Sequence, residues 1–330
     1  MLMIYKDLTM TTYHEKLLTG ERRVSDQSTA KPLIKNELIL KNAGLKGEKA
    51  LSYYLSFLPN KKYILLHNLR LKNEAGFYFQ IDALVLMPNC FIILDAKNYT
   101  GKVTYEANFK QFIQEKEDTR EVINEPLQQV ERQAMQLQQL LRVLIKNKIP
   151  NILTFVVFTN PSVYLSISPE NAKIPSNLIR LESLPSVLHN LENQIQTDVL
   201  TMNELRQLAK ELIKRDTPYD ANIIKKFNII RETDLITGVH CPRCFKLKMN
   251  KVPNKTTWIC PYCNFKSNDA ILHSIKDHYL LFGPKITNRE LRWFLEIESP
   301  TIIKKLLKKI NAKQTGAGSA TVYLLNDPIT

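Results

Sequence analysis

The sequence predicts an α/β fold: a mixed central sheet flanked by helices, followed by a small cysteine-held segment and a helical tail. Three observations carry this. Between residues 37 and 215, short apolar runs of strand length alternate with longer amphipathic runs, in the order helix, strands, helix, strand, helices; that order favours one mixed sheet with helices packed against it. Four of the five cysteines form two close pairs, Cys241 with Cys244 and Cys260 with Cys263. From about Ala270 the apolar residues return to helical spacing. A chain of 330 residues also exceeds one ordinary domain, so two or three are expected.

Taken in order, residues 1–36 are polar and irregular, with TGERRVSDQSTAKP in their middle, and read as an N-terminal extension. A helix is predicted from Leu45 to Leu58, with Ala50, Leu51, Tyr54, Leu55 and Leu58 on one stripe. Strands follow over Tyr63 to Leu66, Phe77 to Leu86, Phe91 to Lys97, Val103 to Tyr105 and Gln111 to Gln114. A long helix is predicted from Pro126, which suits a first helical turn, to Lys146. Asn151 to Thr159 reads as a buried strand and Ile179 to Leu181 as a short one, with helices over Pro185 to Gln194 and Met202 to Lys214. The expected divisions are an extension 1–36, an α/β domain 37–215, a linker 216–237 beginning in RDTPYD, a cysteine segment 238–268 and a helical module 269–330.

Net charge is +14, and Lys226 to Thr330 holds most of it, with 17 Lys and Arg against 8 Asp and Glu. A concentrated basic region attracts polyanions; simple solubility is the alternative, and charge alone does not separate DNA from RNA or an anionic membrane. No apolar run is long enough for a membrane helix. The start, MLMIYKDLTM, is too short in apolar residues for a secretion signal. The expectation is therefore a cytoplasmic protein without a membrane partner.

The most apolar hairpin, IDALVLMPNCFIILDAKNYTG (Ile81 to Gly101), carries charges at its outer ends. A symmetric antiparallel register about Pro88 and Asn89 sets Asp82 opposite Asp95 and Gln80 opposite Lys97, with opposed residues on one face. Two opposed carboxylates repel unless a hard cation lies between them. Mg²⁺ is such an ion, held by one or two carboxylates with waters and phosphate oxygens. A lysine beside it can orient or deprotonate a water and stabilise phosphoryl charge. An ordinary ion pair at a strand end, with Asp82 capping a loop, explains the spacing equally well.

The residues ID (Ile81, Asp82), LDAKNYTG (Leu94 to Gly101) and NEPLQQ (Asn124 to Gln129), with Gly47 and Glu48 in LKGEKALSYYL, resemble the nuclease-related (NERD) domain. That family is similar to the PD-(D/E)xK restriction-endonuclease-like superfamily, which implies a restriction-endonuclease-like core here. The resemblance spans roughly Leu45 to Phe158. It implies Asp82 and Asp95 as metal ligands, Lys97 as the catalytic lysine, Glu48 as an accessory acid and Gln129 as the motif glutamine. The helix also carries Gln128, Gln133, Gln136, Gln138 and Gln139, so a solvated polar residue is the alternative for Gln129. The family usually has Glu where this chain has Asp95, whose shorter reach puts metal binding in question.

CPRC and CPYC stand fifteen residues apart. Two such turns complete a tetrahedral shell of four thiolates, Cys241, Cys244, Cys260 and Cys263, which looks like a zinc ribbon. A thiol redox role is the competitor. A closed four-sulfur shell would make Zn²⁺ structural rather than catalytic. His240 reads as a neighbour of this site, and Cys90 as a small core residue. The ribbon's lysines could touch phosphates or serve as solvated surface. Two short strands are expected about a turn at Val252, Pro253, Asn254 and Lys255.

Thr287 to Glu290 has the capping-box pattern, and Ser299 with Pro300 opens a second helix. On that helix Ile302, Ile303, Leu306, Leu307 and Ile310 are expected on one face, and Lys304, Lys305, Lys308 and Lys309 on the other. With the loop at Gly316 and Gly318 and the strand-like ATVYLL, this resembles a winged helix-turn-helix module. Lysines hold phosphates but read bases poorly, so DNA affinity with little sequence preference is expected; a helix that packs on protein is the alternative. Together these readings point to a Mg²⁺-dependent DNA nuclease with a structural zinc ribbon. The rivals are a non-catalytic DNA-binding or regulatory protein on a nuclease-like scaffold, and an RNA-directed zinc-ribbon protein.

Overall fold

The structure is a computed structural model and describes residues 3–58, 63–117, 119–123, 125–145, 149–195, 197–253 and 255–326. Lys146, Asn124 and Asn254, each named in the sequence reading, lie outside these. The chain begins with β1 (Met3–Lys6), α1 (Thr12–Arg23) and α2 (Ala30–Leu55), then β2 (Ile64–Lys72), β3 (Tyr78–Leu86) and β4 (Cys90–Lys97). Next come β5 (Lys102–Glu106), β6 (Gln111–Lys116), β7 (Thr119–Ile123), α3 (Pro126–Ile145), β8 (Asn151–Phe158), β9 (Tyr164–Ser168) and β10 (Leu178–Arg180). Helices α4 (Leu184–Gln194), α5 (Met202–Lys214), α6 (Ile223–Lys226) and α7 (Arg231–Asp234) lead to β11 (Asn250–Lys251), β12 (Trp258–Ile259) and β13 (Lys266–Ser267). The chain closes with α8 (Ala270–Phe282), β14 (Lys285–Ile286), α9 (Asn288–Leu295), α10 (Pro300–Lys309), β15 (Lys313–Thr315) and β16 (Val322–Leu324).

Two compact units result. One comprises Met1–Met10 and Lys41–Tyr219, the other Thr11–Leu40 and Asp220–Thr330. The first is mixed α/β. Its main sheet has the order β1-β2-β3-β4-β8-β10; β2, β3 and β4 form an antiparallel meander, and β8 joins β4 in parallel. Strand β4 is central, and its residues Cys90 to Leu94 are buried without alternation. Both faces of the sheet are covered, which is why: Ile92 and Leu94 pack with Leu51 and Leu55 of α2 and Leu184 and Leu188 of α4. Phe91 and Ile93 pack with Leu137 and Leu141 of α3 and Leu205 and Leu212 of α5. Each such side chain contributes about 1.5–3 kcal/mol of burial.

A second sheet, β7-β6-β5-β9, packs Tyr105 and Phe112 with Val130 of α3 and Phe158 of β8. The chain enters it through Gly101, at φ 75°, where a Cβ would sit 2.3 Å from the Glu115 carbonyl oxygen. Strand β7 is exposed and polar, so apolar spacing did not reveal it; β9 alternates apolar and polar residues, with Leu165 and Ile167 on the core of this sheet.

The N-terminal residues are not a loose extension. Helix α1 is capped by the Thr11 hydroxyl, which accepts the His14 N–H, and it buries Tyr13 and Leu17 against Ile34 and Leu38 of α2. Helix α2 starts fifteen residues before the expected Leu45, with Pro32 in its first turn, where a missing N–H is harmless. The expected linker is also structured: Asp216 accepts the Arg70 N–H at 2.8 Å, and Ile223 is fully buried.

The second unit is organised around a buried charge. The Asp277 carboxylate, on α8, receives Arg23 Nε at 2.8 Å and lies 2.9 Å from His240 Nδ1, with Arg22 paired to it as well. Arg23 is 0% exposed, donates to the Gly238 carbonyl and stacks 4.5 Å above the Phe294 ring. Burial alone would raise the Asp277 carboxyl, but Arg23, His240 and Arg22 hold it far below the usual carboxylate range. Asp277→Ala strands Arg23 as an unpaired buried charge. We expect it to cost about 3–5 kcal/mol, read as a lowered thermal unfolding midpoint.

Candidate active site and metal centre

The β3–β4 hairpin has the register expected from its sequence: Leu86 pairs with Phe91 and Ala83 with Leu94. Continued one step, this register brings Asp82 opposite Asp95. The ladder stops at that point because Asp82 Oδ2 accepts the Ala96 N–H itself, at 3.0 Å. The pairing of β2 with β3 is interrupted at the same level. His67 pairs with Ala83 and Leu69 with Ile81, and Asn68 between them is left-handed, φ 49°. Side-chain alternation slips there: Leu84 and Leu86 share a core with Phe79 and Ile81. Asp82 thus occupies a break in the pleat.

Asp95 is buried, 1% exposed. Its Oδ1 accepts Gln129 Nε2 at 3.0 Å, and Lys97 Nζ lies 2.7 Å from its Oδ2. Lys97 in turn donates to Gln129 Oε1 at 3.1 Å. Four residues on, Gln133 of the same helix face donates to the Gln80 carbonyl at 2.7 Å and pins α3 to β3. Glu48, on α2, accepts Asn68 Nδ2 at 2.8 Å. Gly47 lets α2 approach this strand end, since a Cβ there would lie 2.8 Å from Thr159 Oγ1 and 3.0 Å from Asn98 Cβ.

The electrostatics are those of crowded acids. Burial, then the charges of Asp95 and Glu48, push the Asp82 carboxyl well above its ordinary value. Burial raises Asp95 too, outweighing the Lys97 cation beside it. Burial pulls Lys97 down, but Asp95 and Asp82 more than compensate and leave its ammonium raised. Asp95 Oδ2 is engaged by the Lys97 ammonium at 2.7 Å. A carboxylate oxygen that accepts one cation keeps a second lone pair, so Asp95 with Asp82 fits a divalent cation held by two carboxylates. Glu48 does not complete a three-acid cluster with them; among the described residues the four cysteines are the one such group.

The neighbourhood includes residues that the sequence reading did not single out. Tyr99, raised by burial, lies within the charge field of Lys97 and Asp95. Buried His67 is held by Ser52, Oγ to Nε2 3.3 Å, beneath the Asp82 backbone. Asn68 had a legible signal: a polar residue of left-handed tolerance interrupts the apolar run ILLHNLRL.

In the second unit the four cysteine sulfurs all lie within 4.8 Å of one another, with Cys241 to Cys263 at 3.7 Å and Cys244 to Cys260 at 3.5 Å. Four thiolates around one zinc at about 2.3 Å stand about 3.8 Å apart, so the cluster has the dimensions to hold zinc, and these separations are too long for disulfides. The three-stranded sheet β11-β12-β13 carries the intervening segment.

Further on, Thr287 and Glu290 form the expected capping box of α9, and Ser299 caps α10. Ile303 and Leu307 are buried, and Lys304, Lys305, Lys308 and Lys309 are exposed. Ile302, expected on the apolar face, is instead 39% exposed at the helix start. Lys304, Lys305 and Lys308 line a groove of ≈ 780 Å³ with Gln314 and Tyr323.

Residues 43–159 match the family model of the nuclease-related domain, NERD, a span that contains Glu48, Asp82, Asp95, Lys97 and Gln129. A 58-residue stretch, 18% of this chain, is 38% identical to an uncharacterized protein of Bacillus anthracis, of which it spans 27%. The match therefore covers about a quarter of that relative's length. No solved structure matches at a significant level. Among the described residues no helix is long and apolar enough to cross a membrane.

The raised Asp82 fixes the sign of a stability effect. Its folded value exceeds its unfolded one, so its contribution to stability is fully present below the unfolded value, near pH 4, and is lost as pH rises through the folded one. At neutral pH, without divalent ion, Asp82→Asn should therefore melt about 2–4 °C above the native chain. Mg²⁺ should raise the melting point of the native chain and leave the variant unmoved.

Proposed function

We propose that this protein is a divalent-metal-dependent nuclease that hydrolyses phosphodiester bonds in DNA, on a restriction-endonuclease-like core. The observation that carries this reading is the convergence of Asp82, Asp95, Lys97 and Gln129 at one end of a buried hairpin, with Asp95 held by Gln129 and ion-paired to Lys97. Asp82 and Asp95 would hold Mg²⁺, with Glu48 as an accessory acid. The ion, when bound, supplies Lewis-acid chemistry to the phosphodiester.

The chain's own groups do the rest. Lys97 stays cationic at neutral pH, given its raised value. Its work is therefore to orient the attacking water and balance charge on the phosphoryl oxygens, rather than to take a proton. Gln129 keeps Lys97 in place through Oε1 while its amide donates to Asp95. A phosphate oxygen that competes for Lys97 would weaken its hold on Asp95 and free that carboxylate for the metal.

In the second unit the zinc-ribbon cysteines would carry a structural Zn²⁺, because four sulfurs leave no open position. Helices α9 and α10 with the sheet β14-β16-β15 are read as a winged helix-turn-helix-like module. Its lysines Lys304, Lys305, Lys308 and Lys309 would hold phosphates whatever the sequence.

A second reading, a non-catalytic DNA-binding or regulatory protein, draws on Asp95. This short side chain stands where the family usually has Glu, and it is already engaged by Gln129 and Lys97. The two readings separate on supercoiled plasmid with Mg²⁺, with Mn²⁺ and without added metal. Metal-dependent nicking is expected, with Asp82→Ala and Lys97→Ala each reducing it by 10²-fold or more (roughly the cost of removing one charge-stabilising group). Binding without nicking, or nicking unchanged in both variants, would overturn the catalytic reading, and preference for RNA in competition would redirect it to RNA.

The groove on α10 has its own test. Replacing Lys304, Lys305, Lys308 and Lys309 together by Glu should weaken duplex binding. The slope of log affinity against log salt should flatten by up to about 3–4, close to one counterion per lysine. An unchanged slope removes α10 from the interface.

A further inference from the structure

The two cysteine knuckles are built alike but end differently. In each, the residue four after the first cysteine returns its N–H to that cysteine's carbonyl: Phe245 to Cys241 and Asn264 to Cys260, both at 2.9–3.0 Å. Both residues are left-handed, at φ 60° and 55°. Asparagine tolerates that conformation, whereas a bulky aromatic side chain is strained in it. Phe245 is nonetheless there, and it is 56% exposed. Neither the backbone nor burial favours phenylalanine at this position, and its ring contacts within the fold, to His240 and Arg22, leave more than half of it exposed.

Its surroundings suggest what the exposed part meets. One side of Phe245 is supported by the His240 ring, stacked at 6.5 Å, and by Arg22, 5.9 Å from the ring centroid. The second knuckle presents Tyr262, 60% exposed, and Lys246, the neighbour of Phe245, reaches across to lie 4.6 Å above that ring. Arg243 lies 5.9 Å from Phe265. Residues 238–268 contain six Lys and Arg and no Asp or Glu. Even with a zinc tetrathiolate of net charge about −2, the segment stays positive. Supported aromatic rings interleaved with cations, on a segment with no acid of its own, match the chemistry of unpaired bases and their phosphates; Glu296, from outside the segment, pairs with Lys248 at 3.7 Å in an exposed and weak contact.

We propose that the knuckles bind single-stranded nucleic acid, with Phe245 and Tyr262 stacking on bases and Arg243, Lys246 and Lys248 holding phosphates. This surface lies outside residues 43–159 and does not depend on the hydrolytic reading. It differs in kind from the lysines of α10, which have no exposed ring among them.

The test uses the full, zinc-loaded chain without Mg²⁺ and a labelled oligothymidylate, an oligouridylate and a blunt duplex, read by fluorescence anisotropy. Phe245→Asn copies the other knuckle; it should keep its zinc, melt no lower than the native chain, and bind single strands roughly ten-fold more weakly. Tyr262→Ala should weaken single-strand binding similarly, and duplex affinity should move less than two-fold in either. Phe245→Tyr and Tyr262→Phe, which keep the rings, should retain binding. The two single strands show whether deoxyribose or ribose is preferred. Unchanged single-strand affinity in Phe245→Asn and Tyr262→Ala, equal losses on duplex, or no binding to either single strand would overturn the proposal.

Discussion

The register of one hairpin governs the candidate site. Leu86 opposite Phe91 across the turn sets every pairing outward from it, and at that register Asp82 and Asp95 come level. Because side chains alternate with period two, a slip of a single residue would send each carboxylate to the other side of the sheet. Close packing of β4 on both faces, against α2 and α4 on one and α3 and α5 on the other, opposes such a slip. The hydrophobic core thereby holds two like charges where electrostatics alone would separate them. A fold that only needed stability would gain by replacing either acid, and that tension is characteristic of sites where function is retained at the expense of stability.

The break in the pleat has a second role. At Asn68 and Asp82 the sheet loses a regular rung, and side chains replace backbone: Asp82 takes the Ala96 N–H, while Asn68 donates to Glu48. Helix α2 can reach this level because Gly47 leaves room beside Thr159 and Asn98. Helix α3 reaches it from the other face through Gln129 and Gln133, one turn apart. Five elements, β2, β3, β4, α2 and α3, thus meet where the ladder is weakest, joined by polar side chains. A site fixed on strands and helices in this way keeps its geometry better than one carried on loops.

Much of this was legible because it is local. The turn at Pro88 and Asn89, the capping boxes, and the paired cysteines are short-range signals, and each recurs in the structure at the residues that carried it. What was not legible depends on distant partners. Arg22 and Arg23 look solvated in TGERRVSDQS, yet their counter-ion Asp277 lies some 250 residues away. Gly44 stands just before the expected helix start at Leu45, yet α2 runs through it from Ala30. Gln129 could not be told from its five neighbouring glutamines, because its distinction is the carboxylate it faces rather than its spacing.

The two units differ in how they manage charge, and the difference bears on what each can bind. In the first, acids are concentrated and buried, and the nearby cation is already committed to one of them, so a newcomer must be a positive ion or bring one. In the second, the buried acid Asp277 is fully compensated by Arg22, Arg23 and His240, which leaves the surface lysines of the ribbon and of α10 without an internal claim on most of their charge. Lys248 is the exception in the ribbon, lying 3.7 Å from Glu296, and that pair is exposed and weak. A polyanion therefore finds its long-range attraction in the second unit. The first unit carries only a small positive excess, and within it Asp82 and Asp95 oppose a phosphodiester locally. A divalent ion between Asp82 and Asp95 would offset that local repulsion and make the pocket compatible with a phosphodiester.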